Sequence, residues 1–161
     1  ADLFHLIGMG ALKYFLLKVD PRKKMLFNPA ESIDFQGNTG PFIQYTHARI
    51  RSILRKALEN NINLEASPTI SALGEREKSL IKLLHQFPGI VAMAGENRSP
   101  ALVANFMFDL SKEFNQFYQS APILREETEH LRNFRLRLSI LVADTLKTAG
   151  RLLGINMPEK M

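Results

Sequence analysis

The sequence predicts an all-α fold, a helical bundle with an irregular N-terminal extension, and three observations predict it. Apolar residues recur at helical spacing along most of the chain. Proline, glycine and asparagine signals punctuate those runs. At 161 residues with 45% hydrophobic content and no cysteine, the chain matches about one domain whose core needs neither disulfide nor metal.

Residues 2–18 read as the first helix, with Leu3, Leu6, Ile7, Leu12, Phe15 and Leu16 supplying its apolar positions, and Asp20-Pro21 ending it. From Arg22 to Gly40 the texture is irregular: Lys24-Met25-Leu26-Phe27 has the composition of a short strand, and Asn28-Pro29, Gly37 and Gly40 signal turns. Pro41 then opens a helix that Thr39 or Gly40 caps and Asn60-Asn61 stops. A loop through Ser67-Pro68 leads to a helix over Glu75 to Phe87, which Pro88-Gly89 is expected to close before a short apolar segment, Ile90 to Ala94. Ser99-Pro100 starts the next helix, reaching about Gln119, and the last runs from near Thr128 to Leu153, where Gly154 ends it. Residues 1–40 read as an adjoining or connecting element and 41–161 as the helical domain. A start at Ala1, already in helical pattern, suggests a piece of a larger protein.

Net charge is +5 with a pI near 9.6, which favours anionic partners. No apolar run approaches the ~20 residues of a membrane span, so no membrane partner is expected, and the lack of cysteine fits a reducing, cytoplasmic location. His5, His47, His85 and His130 are scattered without metal-ligand spacing, and Gly8-Met9-Gly10 lacks the third glycine of a phosphate loop. Glu126, Glu127 and Glu129 suit a helix N-terminus by the dipole argument, ahead of Arg132, Arg135 and Arg137. No catalytic constellation is visible.

The informative stretch is Gly37 to Tyr45 running into His47-Ala48-Arg49-Ile50-Arg51. At 100° per residue, Ile43, Ile50, Leu54 and Ala57 form the buried stripe; Phe42, Tyr45, Arg49 and Lys56 share a flanking face, and Arg51 and Arg55 a third. Aromatics beside cations at a helix start suit unpaired nucleic acid, because bases stack on rings and phosphates pair with guanidinium. The competing reading has the rings covering the bundle end and the arginines solvated. Asn38 and Thr39 could contact base edges or phosphates, though local turn chemistry explains each alone. Phe106, Leu110, Phe114 and Phe117 make a core stripe; Phe108 points away from it toward a second helix, and Tyr118 sits on its rim.

Several segments resemble the C-terminal part of the arginyl-tRNA synthetases of bacterial type. They are Gly10-Ala11-Leu12-Lys13-Tyr14, Ser32-Ile33-Asp34-Phe35, Gly37 to Tyr45 with His47-Ala48-Arg49-Ile50, Asn105-Phe106 through Phe117-Tyr118 with Pro122-Ile123-Leu124, and Leu152 to Met161. The resemblance implies a helical anticodon-binding domain preceded by the tail of a class I catalytic domain. It implies a parent enzyme that joins arginine to its tRNA with ATP and Mg²⁺ through an arginyl-adenylate. The partners so implied are the anticodon loop of arginine tRNA and the protein's own catalytic domain, with no DNA. The site residues it implies are Asn38, Thr39 and Gly40 in the loop, Phe42 and Tyr45 on the helix, Tyr118, and Met161; Arg49 joins them from helix geometry.

The chain departs from the family pattern in two places. Phe42 stands where the family often has tyrosine, and the Asp-Ala-Leu-Arg tetrapeptide registers on Ile140-Leu141-Val142-Ala143. The His-Ile-Gly-His and Lys-Met-Ser-Lys-Ser catalytic signatures are absent, so the isolated chain is expected to be inactive, with no metal or cofactor of its own. The rival reading is a helical protein-interaction domain that does not bind RNA.

Overall fold

The computed structural model describes residues 3–63 and 73–161. Among them are six helices and no strand: α1 (Leu3–Leu17), α2 (Pro29–Ser32), α3 (Gly40–Glu59), α4 (Glu75–Glu96), α5 (Ala101–Ser120) and α6 (Glu129–Leu152). The expected loop through Ser67-Pro68 lies outside the described residues. Helices α3 and α4 both pack on α5 and α6, and α1 lies across α3. The core gathers Ile43, Ile50, Leu54 and Ala57 of α3 with Phe106, Leu110, Phe114 and Phe117 of α5 and Leu136, Val142 and Leu146 of α6. The stripes expected on α3 and α5 are therefore buried, whereas of the stripe that helical spacing sets on α6 (Leu131, Phe134, Leu138, Leu141, Val142, Ala149 and Leu152) Leu141 and Leu152 are exposed.

Two expectations give way. Lys24 to Phe27 forms no strand; no other strand stands among the described residues to ladder with it, and Phe27 instead sets its ring edge-on to Phe15, centroids 5.1 Å apart. Pro88 does not end its helix either, for α4 continues through it to Glu96. Proline inside a helix removes one backbone bond and crowds the preceding turn. Here both halves of α4 bury apolar side chains on the same core, Leu84 and Phe87 before or beside the break and Ile90 and Ala94 after it, and Phe87 stacks on Phe106 at 5.2 Å. Tertiary burial outweighs the local penalty.

The helix ends are defined by their own hydrogen bonds. Thr39 is the N-cap of α3, its hydroxyl accepting from Phe42 N–H at 3.3 Å. Its hydroxyl also donates to the Asp34 carbonyl, which ties down the loop ahead of the helix. At the C-terminus Asn60 caps, Asn61 turns left-handed with φ 56°, and Ile62 N–H returns to Ala57 O at 2.9 Å. The same closure ends α6: Gly154 has φ 68° and Ile155 N–H bonds Gly150 O at 2.8 Å. At Ser99-Pro100 the serine makes no side-chain cap bond to α5.

The close approach of α1 to α3 explains the small residues at their crossing. A Cβ on Gly40 would stand 2.6 Å from the Gly10 carbonyl oxygen, so the crossing needs glycine there. Tyr14 then reaches past α3, its single hydroxyl proton directed at Asn38 Oδ1 at 2.5 Å, with Ala104 O on α5 a second acceptor 3.1 Å away. Burial pushes its phenol well above the usual tyrosine value, with the Asp109 charge adding to the shift.

Candidate nucleic-acid interface

On α3, Phe42, Tyr45 and Arg49 recur at the spacing of one helix turn and face α5 beside the core. Phe42 is half-buried, its ring 5.6 Å from that of Phe108, the α5 phenylalanine that points off the core stripe. Tyr45 and Tyr118 remain 40% and 41% exposed, unusual for rings this close to an apolar core. Between them lies Arg49, its guanidinium carbon 4.7 Å from the Tyr45 centroid and 5.3 Å from that of Tyr118. Tyr118 is backed in turn by Phe114, rings 6.4 Å apart and nearly parallel.

The guanidinium is held from below as well. Asn115 Oδ1 accepts from Arg49 at 2.5 Å, while the Asn115 amide donates to Thr46 Oγ1 at 2.8 Å and to Ser111 O at 2.9 Å. The Tyr45 hydroxyl accepts a further Arg49 bond at 3.2 Å. No carboxylate touches Arg49 among the described residues. It is a positioned, uncompensated cation with a ring on either side.

Three surface depressions meet at this arginine. One, of about 550 Å³, is walled by Phe35, Gln36, Phe42, Tyr45, Asn115 and Gln119 as well as Arg49. A second, of about 350 Å³, lies between Tyr45, Arg55, Tyr118, Lys160 and Met161. A third, of about 550 Å³, runs along Ser52 and Lys56 to the α5–α6 loop.

Met161 reaches the site because the C-terminal segment folds back over the bundle. Gly154 reverses the chain and Ile155 is buried. Gln44 Nε2 then donates to Asn156 O at 2.9 Å, and His47 Nδ1 lies 2.8 Å from Pro158 O. Glu159 gathers three cations: Arg51 at 2.5 Å, Lys147 at 3.6 Å, and Arg55, which donates to its backbone carbonyl at 2.9 Å. Burial alone would raise the Glu159 carboxyl, but the Arg51 hydrogen bond and charge, with His47 and Lys147, bring it below the ordinary value. Burial lowers His47, against the opposing pull of the Pro158 carbonyl and Glu159.

Of the residues singled out by sequence, Phe42, Tyr45, Arg49, Tyr118 and Met161 converge on one face. Asn38, Thr39 and Gly40 are turned to internal work. Asn38 takes the Tyr14 hydroxyl on its side chain and Lys18 Nζ on its carbonyl at 2.8 Å, Thr39 caps α3, and Gly40 clears α1. Reading one helix at a time missed Phe35, Gln36, Asn115 and Gln119, which join the site only through packing. Phe35 alone left a signal, an aromatic in a polar loop, and it is 50% exposed. Among the described residues no group of three or more acidic, histidine or cysteine side chains is placed to hold a metal.

Comparison with known proteins identifies the family and fold. Residues 43–161 match the model of the DALR anticodon binding domain. The chain is 56% identical over 161 residues to the arginine–tRNA ligase of Parabacteroides distasonis, covering 99% of this chain and 27% of that protein. It is also 56% identical over 162 residues to that of Flavobacterium psychrophilum, covering 26% of it. The chain thus spans about a quarter of the length of the curated relatives it matches. The solved arginyl-tRNA synthetase of Thermus thermophilus superposes with a TM-score of 0.89 at 34% identity, covering 97% of this chain and 27% of that one. That of Plasmodium falciparum gives 0.86 at 29% identity, covering 99% and 28%. The match holds although the naming tetrapeptide is replaced at 140–143, where Val142 and Ala143 are buried in α6. With its helical bundle, its ring-flanked arginine and this match over most of its length, the chain belongs to the DALR anticodon-binding domain family, in the form found in arginyl-tRNA synthetases.

Proposed function

We propose that this chain grips the anticodon arm of arginine tRNA and presents that tRNA to the catalytic domain of an arginine–tRNA ligase, with residues 41–161 as the gripping domain and 1–40 as the link to catalysis. The observation that carries the reading is Arg49 held between Tyr45 and Tyr118 with no carboxylate partner among the described residues. Unpaired bases stack on such rings, and the uncompensated guanidinium attracts their phosphates. The contact set is Phe42, Tyr45, Arg49, Tyr118 and Met161, framed by the Asn38–Gly40 loop.

The whole enzyme would attach arginine to tRNA in the cytoplasm using ATP and Mg²⁺. To this chain we assign the binding part of that reaction. Arginine-dependent ATP–pyrophosphate exchange by this chain alone would overturn that assignment.

The test is binding of arginine tRNA transcripts to wild type and Tyr45→Ala at two salt concentrations. Base stacking is worth about 1–3 kcal/mol by truncation, and phosphate contacts make affinity fall with salt. Unchanged affinity in the mutant, with no salt dependence, would refute the site.

A further inference from the structure

Resting on that reading, we infer that the interface is divided at Arg49, with bases on the Tyr45 side and the RNA backbone in the trough on the other side, held by Lys56 and Arg125.

The trough runs between the second half of α3 and the loop joining α5 to α6. Its cations are Arg49, Lys56 and Arg125, its hydroxyls Ser52 and Ser120, and no carboxylate among the described residues lines it. Several neighbouring basic side chains are occupied, Arg51, Arg55 and Lys147 by Glu159, Arg76 by Glu113, and Arg135 by Glu77 and Glu126, while Lys160 stands apart from the trough, in the depression beside Met161. Lys56 and Arg125 are exposed, and their side chains make no ion pair or hydrogen bond with the described residues. Two cations lining one groove, neither paired among the described residues, fit a run of phosphodiesters, since each charge is available to a ligand without first leaving one of those partners.

The loop carrying Arg125 is fixed rather than loose. Arg135 donates to Pro122 O at 2.9 Å and pairs with Glu126 at 2.8 Å, on either side of Arg125, and Ile123 is buried. The recess on the opposite side of Arg49 differs in kind. It is walled by Phe35, Phe42 and Tyr45, with amide groups from Gln36, Asn115 and Gln119, and Arg49 is the one charged side chain among the described residues that line it. Rings and amides recognise base faces and edges; separated cations recognise phosphates.

The two halves predict separable effects. The full chain would be titrated across salt with an RNA stem–loop bearing an arginine anticodon, and with the same stem–loop carrying uridines there. Each phosphate contact to single-stranded RNA contributes about 0.7 to the slope of log affinity against log salt. Lys56→Ala with Arg125→Ala should flatten the slope by about 1.4 and weaken both RNAs by the same factor. Lys56→Arg should keep the slope. Tyr45→Ala should leave the slope in place and reduce the preference for the arginine anticodon. A slope unmoved by the double change, or a preference lost with it, would overturn the division while leaving the anticodon reading intact. No binding of either RNA by wild type would overturn both.

Discussion

Arg49 and Arg135 are the same side chain in two opposite settings. Arg135, 12% exposed, is neutralised twice, by Glu77 at 2.9 Å and Glu126 at 2.8 Å. It joins α6 to α4 and to the loop before it. Arg49 meets two rings and an amide, with no carboxylate among the described residues. An arginine whose charge is spent inside the protein is cement. One that is oriented but uncompensated is held ready for an anion from outside. The comparison teaches that charge compensation, more than the presence of basic residues, separates scaffold from binding surface in this chain.

The largest expected effect tests the scaffold side. Arg135→Ala leaves Glu77 and Glu126 facing each other with little solvent, and breaking such a buried pair costs about 3–5 kcal/mol of stability. Chemical denaturation measures it; a loss under about 1 kcal/mol, the range of exposed pairs, would erase the contrast with Arg49. Arg49→Ala should do the reverse. Its stability should hold nearly at the wild-type value, while affinity for an arginine anticodon stem–loop falls by about 1–3 kcal/mol, the range for stacking contacts, as read by fluorescence titration.

Asn115→Ala sharpens the same point with a smaller change. It removes the amide that aims Arg49 and bonds Thr46, so RNA affinity should drop by about 0.5–1.5 kcal/mol, the net worth of a hydrogen bond. Asn115→Asp would instead compensate the guanidinium, and weaker binding at unchanged stability would show that free charge matters beyond position.

The smallest effect concerns the anchored C-terminal segment. His47 titrates below its ordinary 6.5 because burial disfavours the charged ring. As pH falls, the unfolded chain therefore takes up the proton first. The His47 contribution to stability is whole above about 6.5 and drains away as pH descends through the folded-state value. Glu159, also lowered, adds a second loss below its ordinary 4.5. Thermal midpoints measured across this range should fall with acid in wild type, and His47→Gln should flatten the upper part of that decline.

Helical class, the two core stripes, the helix ends at Asn60-Asn61 and Gly154, and the face shared by Phe42, Tyr45 and Arg49 were legible in the chain. Those features depend on spacing along one helix and on local turn chemistry, which sequence carries directly. The halves of α4 could not be joined across Pro88 that way, since what joins them is burial against α5 and α6. Nor could Gln44, Thr46 and His47 be recognised as buried. Thr46 and His47 border the α3 stripe and Gln44 lies beyond it, and what covers these polar side chains is α1, α5 and the returning C-terminal segment.

The sequence by itself determined that this protein is a basic helical bundle presenting aromatics and an arginine at the start of its third helix. Only the tertiary structure decided which cations stay free. Ion pairing joins residues far apart along the chain, as Arg51 and Glu159 or Arg135 and Glu77 are, and no local pattern announces them. Once those pairs form, Arg49, Lys56 and Arg125 line one trough without an ion pair among the described residues, because packing brought Glu159, Glu77 and Glu126 to their neighbours instead.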